Sequence, residues 1–184
     1  MGLLLAISRG IDRLNLAIGQ LVSWLVLAAV LISAGNALVR YIFSNSSNAW
    51  LEIQWYLFSA VFLLCAGYTL LRNEHVRIDV VAGKLSARAQ AWIDVVGSLL
   101  FLLPMALIIF WLSWPSVIDS YERHEMSGDA GGLLRWPVKL LIPVGFALLA
   151  LQGISELIKR IAFLAGRIPD PRPRAAAGHS DPPA

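Results

Sequence analysis

The sequence predicts an all-α membrane protein with four transmembrane helices, and three observations carry that prediction. Hydrophobic residues fill 58% of the 184 positions and the mean hydropathy is +0.68, whereas a soluble domain is roughly 45–50% apolar. The apolar residues gather into four long runs, at about 16–39, 49–71, 91–114 and 137–158, each near the ~20 residues that cross a hydrocarbon core of about 30 Å. Charged residues avoid the middle of every run and collect between them. The formal charge of +3 is spread over these connections and builds no basic face, so the expected partner is the lipid bilayer and not nucleic acid.

Residues 1–15 hold a short apolar patch followed by Arg9, Asp12 and Arg13, which predicts a separate N-terminal segment lying along the interface. The first run has no charge from Leu16 to Val39, too long for the roughly 7–15-residue core of a secretory signal, and is read as a retained helix. Gly19, Ala29, Ser33, Asn36 and Arg40 share one face of it. Small and polar residues stacked this way suit either close helix packing or the lining of a transport path. A short polar turn, 44–48, then makes the first two runs antiparallel neighbours. Arg40 and Glu52 are thereby expected at one depth and are predicted to pair, because each would otherwise be a lone charge near hydrocarbon.

The second run carries Trp50, Trp55 and Tyr56 as an interfacial aromatic belt. A further stripe follows Glu52 along that helix: Tyr56, Ser59, Leu63, Ala66 and Leu70. The loop after it, 72–90, mixes Arg72, Arg77, Lys84 and Arg88 with Val76, Ile78, Val80 and Val81, the pattern of an amphipathic segment on the membrane surface. Pro104 in run three and Pro143 in run four predict kinks. The glycine-broken, acid-rich stretch 115–136 reads as an exposed loop or a partner contact. Glu156 and Arg160 are expected as a solvated i,i+4 pair. The proline-rich tail, 162–184, is compositionally disordered.

Counting Lys and Arg orients the chain. Arg9 and Arg13, the four of the 72–90 loop, and Lys159, Arg160, Arg167, Arg172 and Arg174 fall on one side; Arg40, Arg123, Arg135 and Lys139 fall on the other. Both termini are therefore expected in the cytoplasm.

Several chemistries lack their residues. His75, His124 and His179 all lie outside the runs, so no haem is held between paired helix histidines. Cys65 is the single cysteine, which leaves no thiol pair. Glu74, His75 and Asp79 lack a second His or Cys at ligand spacing, so no metal is expected. No nucleotide-binding glycine loop and no nucleophile–base pair is present, so no catalytic residue, substrate site or cofactor is assigned. With no charge in the central thirds of the runs, a carrier of charged solutes is disfavoured. An auxiliary membrane subunit is favoured, the alternatives being a free-standing four-helix exporter or a membrane scaffold protein.

Asn36, Arg40, Tyr41 and Phe43, then Trp50, Glu52, Tyr56, Leu57 and Phe58, then Glu74, His75, Val76, Arg77, Ile78 and Asp79 resemble, in that order, the small membrane subunit of tripartite ATP-independent periplasmic (TRAP) transporters. The similarity covers about 16–161. It implies a subunit of the bacterial inner membrane, packed on a large membrane subunit. That larger protein would perform sodium-coupled uptake of an organic acid delivered by a periplasmic solute-binding protein. Substrate and sodium sites would belong to the large subunit. The stretch 130–139, with Arg135 and Lys139, resembles the branch associated with 2-oxo acids and related monocarboxylates. Candidate structural or subunit-contact residues are Asn36, Arg40, Trp50, Glu52, Trp55, Tyr56, Glu74, His75, Arg77, Asp79, Arg135 and Lys139.

Overall fold

The computed structural model describes residues 2–43, 47–73 and 85–169. Most of the expected surface segment between the second and third runs lies outside them, with Glu74, His75, Arg77 and Asp79, as do residues 170–184 of the tail, whose residues 162–164 instead close the last helix. The described residues form α1 (Gly2–Phe43), α2 (Asn48–Leu64), α3 (Ala66–Leu71), α4 (Ala87–Gly97), a π-helical turn (Ser98–Leu102), α5 (Leu103–Glu122) and α6 (Trp136–Leu164). The only extended pairing among them is an isolated bridge between Met126 and Leu134. Taken as continuous rods, Gly2–Phe43, Asn48–Leu71, Ala87–Glu122 and Trp136–Leu164 are each long and apolar enough to cross a membrane. The chain is an all-α, multi-pass membrane protein.

Two helices run further than their hydropathy indicates. The expected N-terminal segment is continuous with the first run: from Gly2 onward, residues 2–15 are the opening turns of the 42-residue α1. Ser8, Asn15, Val22 and Ala29 are buried at every seventh position, with Gly19 between them. That seam crosses the polar stretch without a break, and packing along it holds the helix together where composition alone would end it. Likewise α5 does not stop at Trp114. It continues through Pro115 to Glu122, because Val117 and Ser120 are still buried on its inner face. The missing proline N–H costs one ladder bond, which that packing outweighs.

The two central prolines are accommodated differently. Pro104 has no N–H to give the carbonyl four residues back, and its ring crowds that carbonyl. The helix responds by widening just before it, where the Leu103 N–H donates to the carbonyl of Ser98, five residues back. The expected kink is thus a π turn. By contrast α6 runs through the buried Pro143 as one helix.

Helix α6 is the centre of the bundle and packs against every other helix. Glycines make the closest of these contacts. A Cβ on Gly145 would stand 2.7 Å from the carbonyl oxygen of Leu63, and one on Gly67 would stand 3.1 Å from that of Leu148. Backbones that approach so closely gain dispersion contacts along their length, the main attraction between helices in lipid. Ala106, Leu149 and Ala150 form the buried apolar cluster, and Ala66 and Leu70 pack against it. The small-residue stripe of the second run is therefore spent within the chain.

Candidate functional site

Polar side chains meet at two opposite ends of the bundle. One, the hairpin end, holds the close of α1, the start of α2 and the 123–135 connection. The other, the terminal end, holds the start of α1 and the close of α6.

At the hairpin end the first two turns of α2 grip the connection. Asn48, Glu52 and Tyr56 are spaced by four, so all three point from one face of the helix. Asn48 Nδ2 donates to the Ala130 carbonyl at 3.2 Å, the Leu133 N–H donates to Glu52 Oε2 at 2.6 Å, and the Tyr56 hydroxyl donates to the Leu134 carbonyl at 2.8 Å. The Ser127 hydroxyl lies beside the Glu52 carboxylate. Gly132 lets the loop come this near, since a Cβ there would stand 2.9 Å from Glu52 Oε1 and 2.4 Å from Ser127 Cβ. The loop is itself a small hairpin: the Ser127 N–H donates to the Leu133 carbonyl and the Arg135 N–H to the Glu125 carbonyl, each at 2.9 Å, while Gly131 takes φ +75° at the bend.

Glu125 closes the base of that hairpin. Arg135 Nη1 approaches Glu125 Oε1 at 3.4 Å, and Lys139 pairs with Oε2. The Lys139 ammonium and the Ser120 hydroxyl hold the Glu125 carboxyl below its ordinary value of 4.5, and Arg135 adds to the effect. Edge-to-face contact of Tyr121 with Trp136, centroids 5.5 Å apart, braces the same corner.

The terminal end is built chiefly from side chains, with the Ser8 and Ser155 carbonyls as further acceptors. Ser8 and Ser155 share a hydroxyl bond of 2.7 Å, and Asn15 Nδ2 donates to Gln152 Oε1 at 3.0 Å. Asp12 Oδ1 accepts from Gln152 Nε2 at 2.9 Å and from the Ser155 hydroxyl at 2.7 Å, while Lys159 Nζ stands 3.2 Å from Asp12 Oδ2. Lys159 also pairs with Glu156. Ser155, Gln152 and Asn15 are fully buried, so each bond replaces one that water would otherwise supply. Interhelical hydrogen bonds average about 0.6 kcal/mol in membrane proteins, but a buried polar group left unpaired costs about 1–3 kcal/mol. The network's value is chiefly what its loss would expose. Beside it, Arg160 Nε lies 3.3 Å from Asp94 Oδ2 and ties α6 to α4.

The expected residues fall into three groups. Glu52, Tyr56, Arg135 and Lys139 come together at the hairpin end, around the loop. Asn36, Arg40, Trp50 and Trp55 stay at the surface; Arg40 is exposed and Trp55 is 72% exposed. Glu74, His75, Arg77 and Asp79 are outside the described residues. Two expected pairs are replaced. Glu52 bonds the loop and makes no ion pair with Arg40: its carboxylate faces the loop N–H groups, whereas Arg40 points outward from α1. Arg160 pairs with Asp94 on α4, and Glu156 with Lys159 on α6 itself, because both side chains are turned out of solvent. Sequence reading missed Ser8, Asp12, Asn15, Ser155 and Lys159 as a group. The signal was the Ser8–Asp12–Asn15–Gly19 spacing of four, three and four, matched by Gln152, Ser155, Glu156 and Lys159 on α6.

Among the described residues no cluster of three or more His, Cys, Asp or Glu could hold a metal ion. In the arrangement just described, acids are met by amide, hydroxyl, ammonium or guanidinium donors. Such groupings hold helices in register.

The family described as "Tripartite ATP-independent periplasmic transporters, DctQ component" matches residues 29–163, well over half of the chain. No curated protein and no solved structure matches. The matched span takes in the hairpin end whole, the second part of α1 from Ala29, the α6 half of the terminal network and the other three spanning helices up to residue 163, and on this ground the chain belongs to the DctQ family, the small membrane component of TRAP transporters.

Proposed function

We propose that this small TRAP subunit braces a large membrane subunit of the bacterial inner membrane, with both of its own termini in the cytoplasm. The large subunit carries out sodium-coupled uptake of an organic acid handed over by a periplasmic solute-binding protein. The observation that carries the reading is the family match over 29–163. The way the chain uses its interior polar groups supports it: they fasten helix to helix and helix to loop, as a rigid support requires. The 2-oxo acid or related monocarboxylate class is the substrate expected from the 130–139 stretch.

The test is reconstitution of uptake in proteoliposomes from the binding protein, the large subunit and this chain, omitting each in turn. Uptake of the labelled acid should need all three and an inward sodium gradient. Equal uptake without this chain would overturn the bracing role. Dissipation of a substrate gradient by this chain alone would make it a transporter in its own right.

A further inference from the structure

We propose that the cleft between the second half of α1 and the start of α2 is where the large subunit lays a transmembrane helix, one that brings a hydrogen-bond acceptor or carboxylate opposite Arg40. This deepens the bracing role above and rests on it.

Two outward faces of the chain differ in kind. On the rod formed by the π turn and α5, the exposed residues between 99 and 112 are all bulky and apolar; Phe101 is 73% and Trp111 74% exposed. That face suits acyl chains. On α1 one cleft is lined by Ser33, Asn36, Ala37 and, at the rim, Arg40, while the exposed Leu31, Leu38 and Val39 lie on other sides of the helix. Small and polar residues at helical spacing are what a packed helix needs, and lipid has no use for them.

Asn36 sits between two open clefts, of about 540 and 560 Å³. Leu31 and Trp50 wall the first; Arg40, Tyr41 and Gln54 wall the second. Among the described residues Arg40 has no ion pair, and a guanidinium next to hydrocarbon needs an acceptor. A lipid phosphate could meet Arg40 at the rim. It would leave Asn36 and Ser33, one and two turns deeper, facing hydrocarbon. A helix with its own polar atoms meets all three.

The test uses the full chain co-expressed with the large subunit of the same transporter. A benzoyl-phenylalanine photo-crosslinker is placed at Asn36 or Ala37, which line the cleft beside Arg40, and for comparison at Ile108 or Trp111. Adducts with the large subunit are expected from the first two positions and not from the second two. Separately, Ala37→Leu, at an exposed position, should leave the melting of the isolated chain unchanged yet lower the co-purified large subunit at least tenfold.

Adducts confined to positions 108 and 111, lipid-only adducts at 36 and 37, or undiminished co-purification of Ala37→Leu would each overturn the cleft while leaving the subunit pairing intact. Failure of the wild-type chain to co-purify with the large subunit would overturn the bracing role itself.

Discussion

The two polar ends of this bundle solve the same problem by different means. At the terminal end, side chains of α1 bond side chains of α6 more than 130 positions away, deep enough that Asn15, Gln152 and Ser155 are fully buried. At the hairpin end, side chains of α2 bond the backbone of a loop, and the participants stay half-exposed or exposed. The first arrangement fixes which helix lies beside which. The second fixes where a loop sits on an already assembled bundle. Loss of a terminal bond therefore strands a polar group away from water, whereas loss of a hairpin bond is partly made good by solvent.

That difference sets an order of damage. Asp12→Ala should be the most harmful change, lowering stability by about 3 kcal/mol, since it removes a half-buried ion-pair partner together with the acceptor for Gln152 and Ser155. Thermal unfolding in detergent, followed by gel-filtration fluorescence, measures it. Gln152→Leu comes next at about 2 kcal/mol, because Asn15 and Asp12 each lose a bond in a dry setting. Should either variant melt like the wild type, the terminal end would not be the stronger of the two.

Glu52→Ala should be milder still, its effect confined to the hairpin. Proteolysis within 128–131 should quicken roughly fivefold while the bundle melts within a degree or two of the wild type; a large drop in global melting would erase the distinction between the ends. The smallest effect is one of pH. The Glu125 carboxyl lies below 4.5 when folded, so its contribution is present in full above that value and is lost as the pH falls beneath it. Loop proteolysis should rise on acidification below about pH 4.5, and Glu125→Gln should flatten that rise. An unaltered acid response in that variant would remove Glu125 from the account.

The same contrast explains what the sequence conveyed. Four spans were plain from hydropathy, because each carries its signal within itself. Glu52 and Tyr56 were recognisable as special on α2, yet Glu52 was matched with Arg40, since a backbone N–H such as that of Leu133 leaves no mark in a sequence. Ser8, Asp12 and Asn15 resembled an ordinary polar lead-in, for their meaning depends on Gln152, Ser155 and Lys159 far along the chain. The extra turns of α5 were hidden by Pro115, whose local preference is overruled by the burial of Val117 and Ser120.

Helix α1 has 42 residues and so measures about 63 Å at 1.5 Å per residue. A bilayer with its headgroups is about 40–45 Å thick. Leaning alone would have to exceed about 45° to hide such a rod, beyond the inclinations that spanning helices adopt. Some of it must emerge into water, and its charged portion around Arg9, Asp12 and Arg13 is the part chemically suited to do so. The protein thus owns a long strut projecting from the membrane, clamped to α6 through Ser8, Asp12 and Asn15.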